Sequence, residues 1–92
     1  MARIASEMVK RSIYSYVRKN IHSAREVIAR DDDVDELFVQ IKSDLVDLII
    51  KDRSNADQAI ELIMIIKYLE RIADHAVNIA EWTIFCVTGE HG

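Results

Sequence analysis

Apolar residues recur at helical spacing almost from one end of the chain to the other. Over residues 2–19, Ile4, Met8 with Val9, Ile13, and Tyr16 with Val17 mark one stripe, with Lys10, Arg11, Arg18 and Lys19 on the other side. Asn20 reads as the cap of a second helix, its side chain placed to accept from an amide near Ser23. Ile21, Ala24, Val27 and Ile28 open that helix. The acidic run Asp31 to Glu36 then interrupts the composition, and it could start a new helix with Asp32 as cap. The phase argues for continuity. Val27, Val34, Ile41 and Leu48 are spaced by sevens, with no slip across the acids. The spacing therefore predicts one helix over 21–51, about 45 Å long. The segment KDRSNAD, Lys51 to Asp57, reads as a turn in which Ser54 or Asn55 caps a third helix over 55–88. That last helix is apolar nearly all round, which predicts burial on most sides.

Proline is absent, and the two glycines, Gly89 and Gly92, lie in the last four residues. Gly89 stands where a left-handed C-cap belongs, with Glu90 to Gly92 expected to fray. Nothing earlier breaks a helix, so the chain is expected to be all-α. Its 92 residues make one domain, residues 1–92. Short turns between three helices give an up-down-up three-helix bundle.

One narrow polar stripe crosses the third helix. Glu70, Asp74, Asn78 and Glu81 are spaced 4, 4 and 3, so they stack along one line. On the second helix, Asp31 and Asp35 lie one turn apart beside the apolar stripe. Antiparallel pairing brings Asp31 and Asp35 to about the height of Glu70 and Asp74, within roughly two turns. Two readings stand. The column is the solvated edge of a core-lining helix, or it is a set of oxygen ligands. Four carboxylates that close repel one another unless protons are retained or a cation intervenes. An all-oxygen set favours iron, manganese, magnesium or calcium, with zinc reachable through carboxylates.

Other candidates are weaker. A di-iron carboxylate enzyme needs Glu-x-x-His, and the residues three before His22, His75 and His91 are Lys19, Ile72 and Thr88. His75 points about 100° away from Asp74 and reads as a surface residue. Arg71 could bridge Glu70 or stay solvated. Trp82 and Phe85 read as packing anchors, and the single cysteine, Cys86, as a small core residue. No nucleophile–base set or phosphate-cradling glycine loop is present, so no enzyme is expected. The net charge of −4 and an acidic largest cluster argue against nucleic acid. The N-terminal residues lack the apolar core of a signal peptide, and the uncharged run WTIFCVTG is too short to span a bilayer. Cytoplasmic residence is expected.

The stretch Tyr68 to Glu81, YLERIADHAVNIAE, closely resembles the signature of the PhoU family of phosphate-uptake regulators. Arg30 to Leu37, RDDDVDEL, is similar to its companion motif. The resemblance covers nearly the whole chain. That family is built from three-helix units, usually two per chain, and Val87 to His91 is similar to the end of the second unit. The proline-containing turn typical of the first unit is replaced here by KDRSNAD. The resemblance implies a multinuclear metal cluster, of iron, zinc, manganese or magnesium, on Asp31, Asp35, Glu70 and Asp74. Asn78 and Glu81 continue the line as second-ranked ligands or supports. It also implies a non-enzymatic negative regulator that links a phosphate ABC transporter ATPase to a phosphate sensor histidine kinase, in the cytoplasm at the inner face of the membrane. The excess of apolar surface on the third helix suggests pairing with a second such unit or with itself, as a homo-oligomer. Alternatives are a cytosolic regulatory domain of a sodium–phosphate cotransporter and a purely structural helical interaction module.

Overall fold

The structure, a computed structural model, describes residues 1–89. Three helices run up, down and up: α1 Ala2–Arg18, α2 Ile21–Lys51 and α3 Ala56–Thr88. A 3-10 turn, Arg53–Asn55, joins the last two. The acidic run does not break α2, as its unbroken heptad phase predicts.

Each corner is closed by local hydrogen bonds. Lys19 takes the left-handed conformation (φ 53°), which lets the amide of Asn20 donate to Ser15 O at 2.9 Å. The Asn20 side chain then accepts from the amide of Ser23 at 3.1 Å, satisfying one orphan donor of α2. At the second corner the capping falls elsewhere than expected. Asn55 occupies the cap position of α3, but its side-chain amide turns back and donates to Leu48 O at 3.1 Å. α3 thus has no side-chain cap, and Asp52 caps the 3-10 turn before it, accepting from the amide of Ser54 at 3.0 Å. Hydrogen bonds from Ser54 hold the Asp52 carboxyl below the usual range. α3 ends at Gly89, whose positive φ (76°) lets its amide reach Phe85 O at 2.7 Å. The expected fraying of Glu90 to Gly92 lies outside the described residues.

The helices differ in length: 17 residues in α1 against 31 in α2 and 33 in α3. α1 therefore covers only about half of the α2–α3 hairpin. Where it does, the core is closed. Met8 of α1 packs with Ala24, Val27 and Val34 of α2 and with Ala73, Ala76 and Ala80 of α3. The buried hydroxyls of Ser15 and Thr83 meet at 3.3 Å between α1 and α3. They also stay on backbone carbonyls one turn back, Ser12 O and Ile79 O, so their burial leaves no orphan. Beyond α1, a second core of Leu45, Ala59 and Ile66 is backed by Phe38, Ile41, Ile49 and Ile63. Met1 touches both cores, which places the end of α1 at their junction.

The expectation that α3 is buried on most sides is not met within this chain. Ile60, Leu62, Met64, Ile65 and Tyr68 are exposed, because no third helix lies over this part of the hairpin. The heptad line of α2 fades for the same reason. Val27 and Val34 are fully buried, Ile41 is half-buried and Leu48 is 45% exposed. Cys86, expected in the core, is exposed. Trp82 is also exposed and leans on Phe85, one turn on, with ring centroids 5.2 Å apart. Neither residue lies on the α3 line of Ala73, Ala76, Ala80 and Thr83 that the other helices cover. Among the described residues no helix is long and apolar enough to cross a membrane.

Asn20→Ala is expected to lower the unfolding free energy by about 1 kcal/mol through loss of the cap. Met8→Ala, at the centre of the closed core, should cost about 2–5 kcal/mol. Urea unfolding followed by circular dichroism measures both.

Candidate metal centre

The two acid pairs lie close enough for their charges to act on one aspartate. Asp31 is half-buried on α2. Burial raises the pKa of its carboxyl most, and the charges of Asp35, Asp74, Asp32 and Glu70 raise it further. Asp35 and Asp32 lie on the same helix, while the charges of Asp74 and Glu70 act on it from α3. The predicted match in height is thus close enough for the α3 charges to be felt at Asp31. One of its oxygens, Oδ1, is shielded from solvent and accepts no hydrogen bond from any described residue. A buried carboxylate oxygen with no donor is costly, and a cation is one way to satisfy it.

No cationic side chain among the described residues does so. Arg30, adjacent in sequence, is turned toward α1, where it pairs with Asp33 at 3.0 Å and Glu7 at 4.0 Å. Arg71 is exposed and makes no ion pair among the described residues, so it is the solvated flank charge of the two roles considered. Among those residues none of Asp31, Asp35, Glu70 and Asp74 is in an ion pair. His75 is exposed, and His22 lies 2.8 Å from Glu26 on the far side of α2.

The geometry supports the four ligand candidates unequally. Asp31 is the inner member, Glu70 is half-buried, and Asp35 and Asp74 are exposed. Asn78 and Glu81 lie one and two turns further along α3. On α2 the corresponding positions beyond Asp31 are Ile28 and Ala24, which offer no oxygen. Asp32 was not among the residues the spacing picked out, because it lies about 100° off the line of Asp31 and Asp35. Proximity through space, not position along the stripe, brings its charge to bear.

Among the described residues no three His, Cys, Asp or Glu side chains are grouped closely enough to hold an ion as they stand. The donor set nevertheless suits a hard cation in kind. It is all oxygen, and among the described residues it contains an orphaned buried atom and has no paired cation. Capture would require rotation of the exposed Asp35 and Asp74 and extension of Glu70, motions that surface side chains make readily.

A three-helix bundle with an acidic column across two of its helices defines the class of protein. The PhoU domain profile matches residues 1–83, and the chain belongs to the PhoU domain family. A phosphate-specific transport system accessory protein PhoU homolog of Clostridium acetobutylicum is 39% identical over 90 residues, covering 98% of this chain and 41% of that protein. The same name is carried by a relative from Aquifex aeolicus, 39% identical over 98% of this chain and 41% of its own length. PhoU homolog 1 of Methanothermobacter thermautotrophicus is 34% identical over the same shares. The chain thus spans about two-fifths of the length of these curated relatives.

The raised pKa of Asp31 has a sign. Folding favours its protonated form, so this group favours folding below the ordinary aspartate pKa. That contribution is lost as the pH rises through the higher folded value. In metal-free buffer at neutral pH, Asp31→Asn is expected to be the more stable protein. The gain is about 0.5 kcal/mol after solvent screening, or roughly 2–4 °C in melting temperature. The difference should shrink as the pH falls toward the ordinary aspartate value. Thermal melts of both proteins across that range check it, and a less stable Asp31→Asn at neutral pH contradicts the electrostatic account.

Proposed function

We propose that this chain is a metal-binding regulatory adaptor of phosphate uptake. The observation that supports the reading is that the charges of Asp35, Asp74 and Glu70 act on Asp31, one of whose oxygens accepts no hydrogen bond from any described residue. The family membership and the relatives named as accessory proteins of phosphate-specific transport supply the biological setting. In this reading Asp31, Asp35, Glu70 and Asp74 hold an iron, zinc, manganese or magnesium cluster, with Asn78 and Glu81 as outer supports. A bound cation supplies positive charge that cancels the repulsion among the carboxylates. Asp31 provides the inner anchor because its backbone is fixed by the closed core around Val27 and Val34. Asp35 and Asp74 provide the exposed rim, where solvent and a partner have access.

The partners are those of the family. They are the ATPase of a phosphate ABC transporter and a phosphate-sensing histidine kinase, met in the cytoplasm at the inner face of the membrane. The chain acts by binding, with no turnover, and restrains the phosphate-starvation response. Its apolar α3 surface pairs with a second unit or a second copy.

Elemental analysis of chain purified without chelator or nickel resin tests the metal reading, alongside the quadruple alanine variant at Asp31, Asp35, Glu70 and Asp74. Stoichiometric metal is expected in the parent and none in the variant. A cation at 100 times its dissociation constant should stabilise the parent by about 2.7 kcal/mol and raise its melting temperature by roughly 10 °C or more. Neither effect should appear in the variant. Capture of the transporter ATPase or the kinase by the parent, but not by the variant, would extend the result to function. Absence of metal from the parent even after iron, manganese, zinc or magnesium is added would leave the column a solvated face.

A further inference from the structure

The charge of the chain is unevenly divided. Residues 1–20 carry five basic side chains, Arg3, Lys10, Arg11, Arg18 and Lys19, against one acid, Glu7, a net +4. The rest of the chain carries the other seven basic residues and fifteen acids, a net −8, within the total of −4. The division follows the fold. Glu26 and Arg30 of α2 face α1, where they pair with Arg11 at 2.7 Å and with Glu7 at 4.0 Å. Asp31 and Asp35 lie about 100° and 140° round the helix from Arg30. The acid column is therefore on the side of the bundle turned away from α1, and α1 is the basic element.

α1 itself has two sides. Ala5, Met8, Ser12 and Ser15 are buried against the other helices. Opposite them, within about 60° of one line, stand Arg3, Lys10, Ile13, Tyr14 and Val17, all exposed. Val17 is 67% exposed, so this strip is no seam of the bundle. Arg3 and Lys10 make no ion pair among the described residues. Glu7, at the edge of the strip, is turned to Arg30. At the end of the helix the Lys19 ammonium lies 4.3 Å from the Tyr16 ring centroid, and the Arg18 guanidinium 6.0 Å from that of Tyr14.

We propose that this face of α1 docks on an anionic lipid surface, with α1 in the headgroup layer and the α2–α3 hairpin held off it. A basic amphipathic helix with aromatic side chains is suited to that layer. Arg3 and Lys10 reach lipid phosphates over their own apolar stems. Ile13 and Val17 enter the acyl boundary, and Tyr14 keeps its hydroxyl among the headgroups. An acidic protein surface complements the cations alone. A bilayer surface complements both parts of the strip, because phosphate and hydrocarbon lie within one side-chain length of each other. The charge division also orients the chain: a negative bilayer attracts α1 and repels the net −8 of the remainder. With 17 residues and several charges, α1 is too short and too polar to cross, so it lies on the surface. This deepens the membrane-face part of the proposed function and rests on it for its setting. It needs neither metal nor protein partner, so its failure leaves the metal and capture experiments untouched.

Co-sedimentation with vesicles of equal parts phosphatidylglycerol and phosphatidylcholine tests it, with chelator present and no partner added. The chain should pellet with these vesicles and stay in solution with phosphatidylcholine alone. Binding should fade toward about 1 M salt, where the Debye length is ~3 Å. Arg3→Gln with Lys10→Gln should weaken it about 30-fold, and Val17→Gln about 10-fold. Helix content should be unchanged in both, because these side chains are exposed. Lys42→Gln with Lys51→Gln removes the same charge away from α1 and should leave binding intact. Failure of the parent to bind the anionic vesicles overturns the inference. So does binding that Arg3→Gln with Lys10→Gln leaves unchanged, or that the Lys42 and Lys51 variant weakens equally. Loss of transporter ATPase capture in the α1 variants, with no vesicle binding by the parent, would assign the face to a protein and overturn it too.

Discussion

The fold depends on how closely α1 and α2 can approach α3. Ala73, Ala76 and Ala80 are fully buried, and their small side chains admit Met8, Val27 and Val34 from the other two helices at once. Because α2 and α3 meet along this seam, their relative height is fixed, and with it the action of the Glu70 and Asp74 charges on Asp31. A larger residue at Ala73 or Ala76 would push the helices apart where the carboxylates face each other. Overpacking of this kind typically costs about 1–3 kcal/mol, and here it would spread the acid column as well. Packing in the core and repulsion at the surface are therefore linked through one set of alanines.

That repulsion opposes folding. A half-buried aspartate whose pKa is raised by four other acids, with one oxygen lacking a donor among the described residues, is a local conflict in a chain whose core otherwise agrees with its fold. Arg30 could relieve it but is drawn to Glu7 and Asp33 on the α1 side. Among the described residues the site is thus left without a counter-charge while a basic side chain stands next to it in sequence. Conflicts of this sort concentrate where a sequence serves something besides stability.

Much of this was legible in the residues. The cap at Asn20, the stop at Gly89 and the unbroken run of α2 across its acids follow from local chemistry and a constant phase. The height match of the acid pairs follows from two nearly equal helices joined by a short turn. Other features were not legible, for physical reasons. Ser54 or Asn55 could cap α3, but a 3-10 turn capped by Asp52 intervenes and the Asn55 side chain is directed to Leu48 instead. Cys86 and Trp82 are apolar enough for a core, but they flank the line α1 and α2 cover, and a helix apolar all round conceals which line that is. Asp32 acts on Asp31 through space, beyond what a stripe can express.

The apolar excess of α3 was read as burial, and within one chain it is exposure. Both statements describe the same constraint at different levels. A helix selected to be covered on most sides keeps that composition wherever its covering comes from. Upstream of Leu69 the single chain supplies α2 alone, so Ile60, Leu62, Met64 and Ile65 meet water. Downstream it supplies two helices, and Ala73, Ala76, Ala80 and Thr83 are sealed. The carboxylates stand near the boundary between these regimes, close to the end of α1 at Met1. Any partner that packs over the open half would end next to them. The approach of that partner and the electrostatics of Asp31 are then coupled, because desolvating the rim raises the cost of its charge and sharpens the need for a cation.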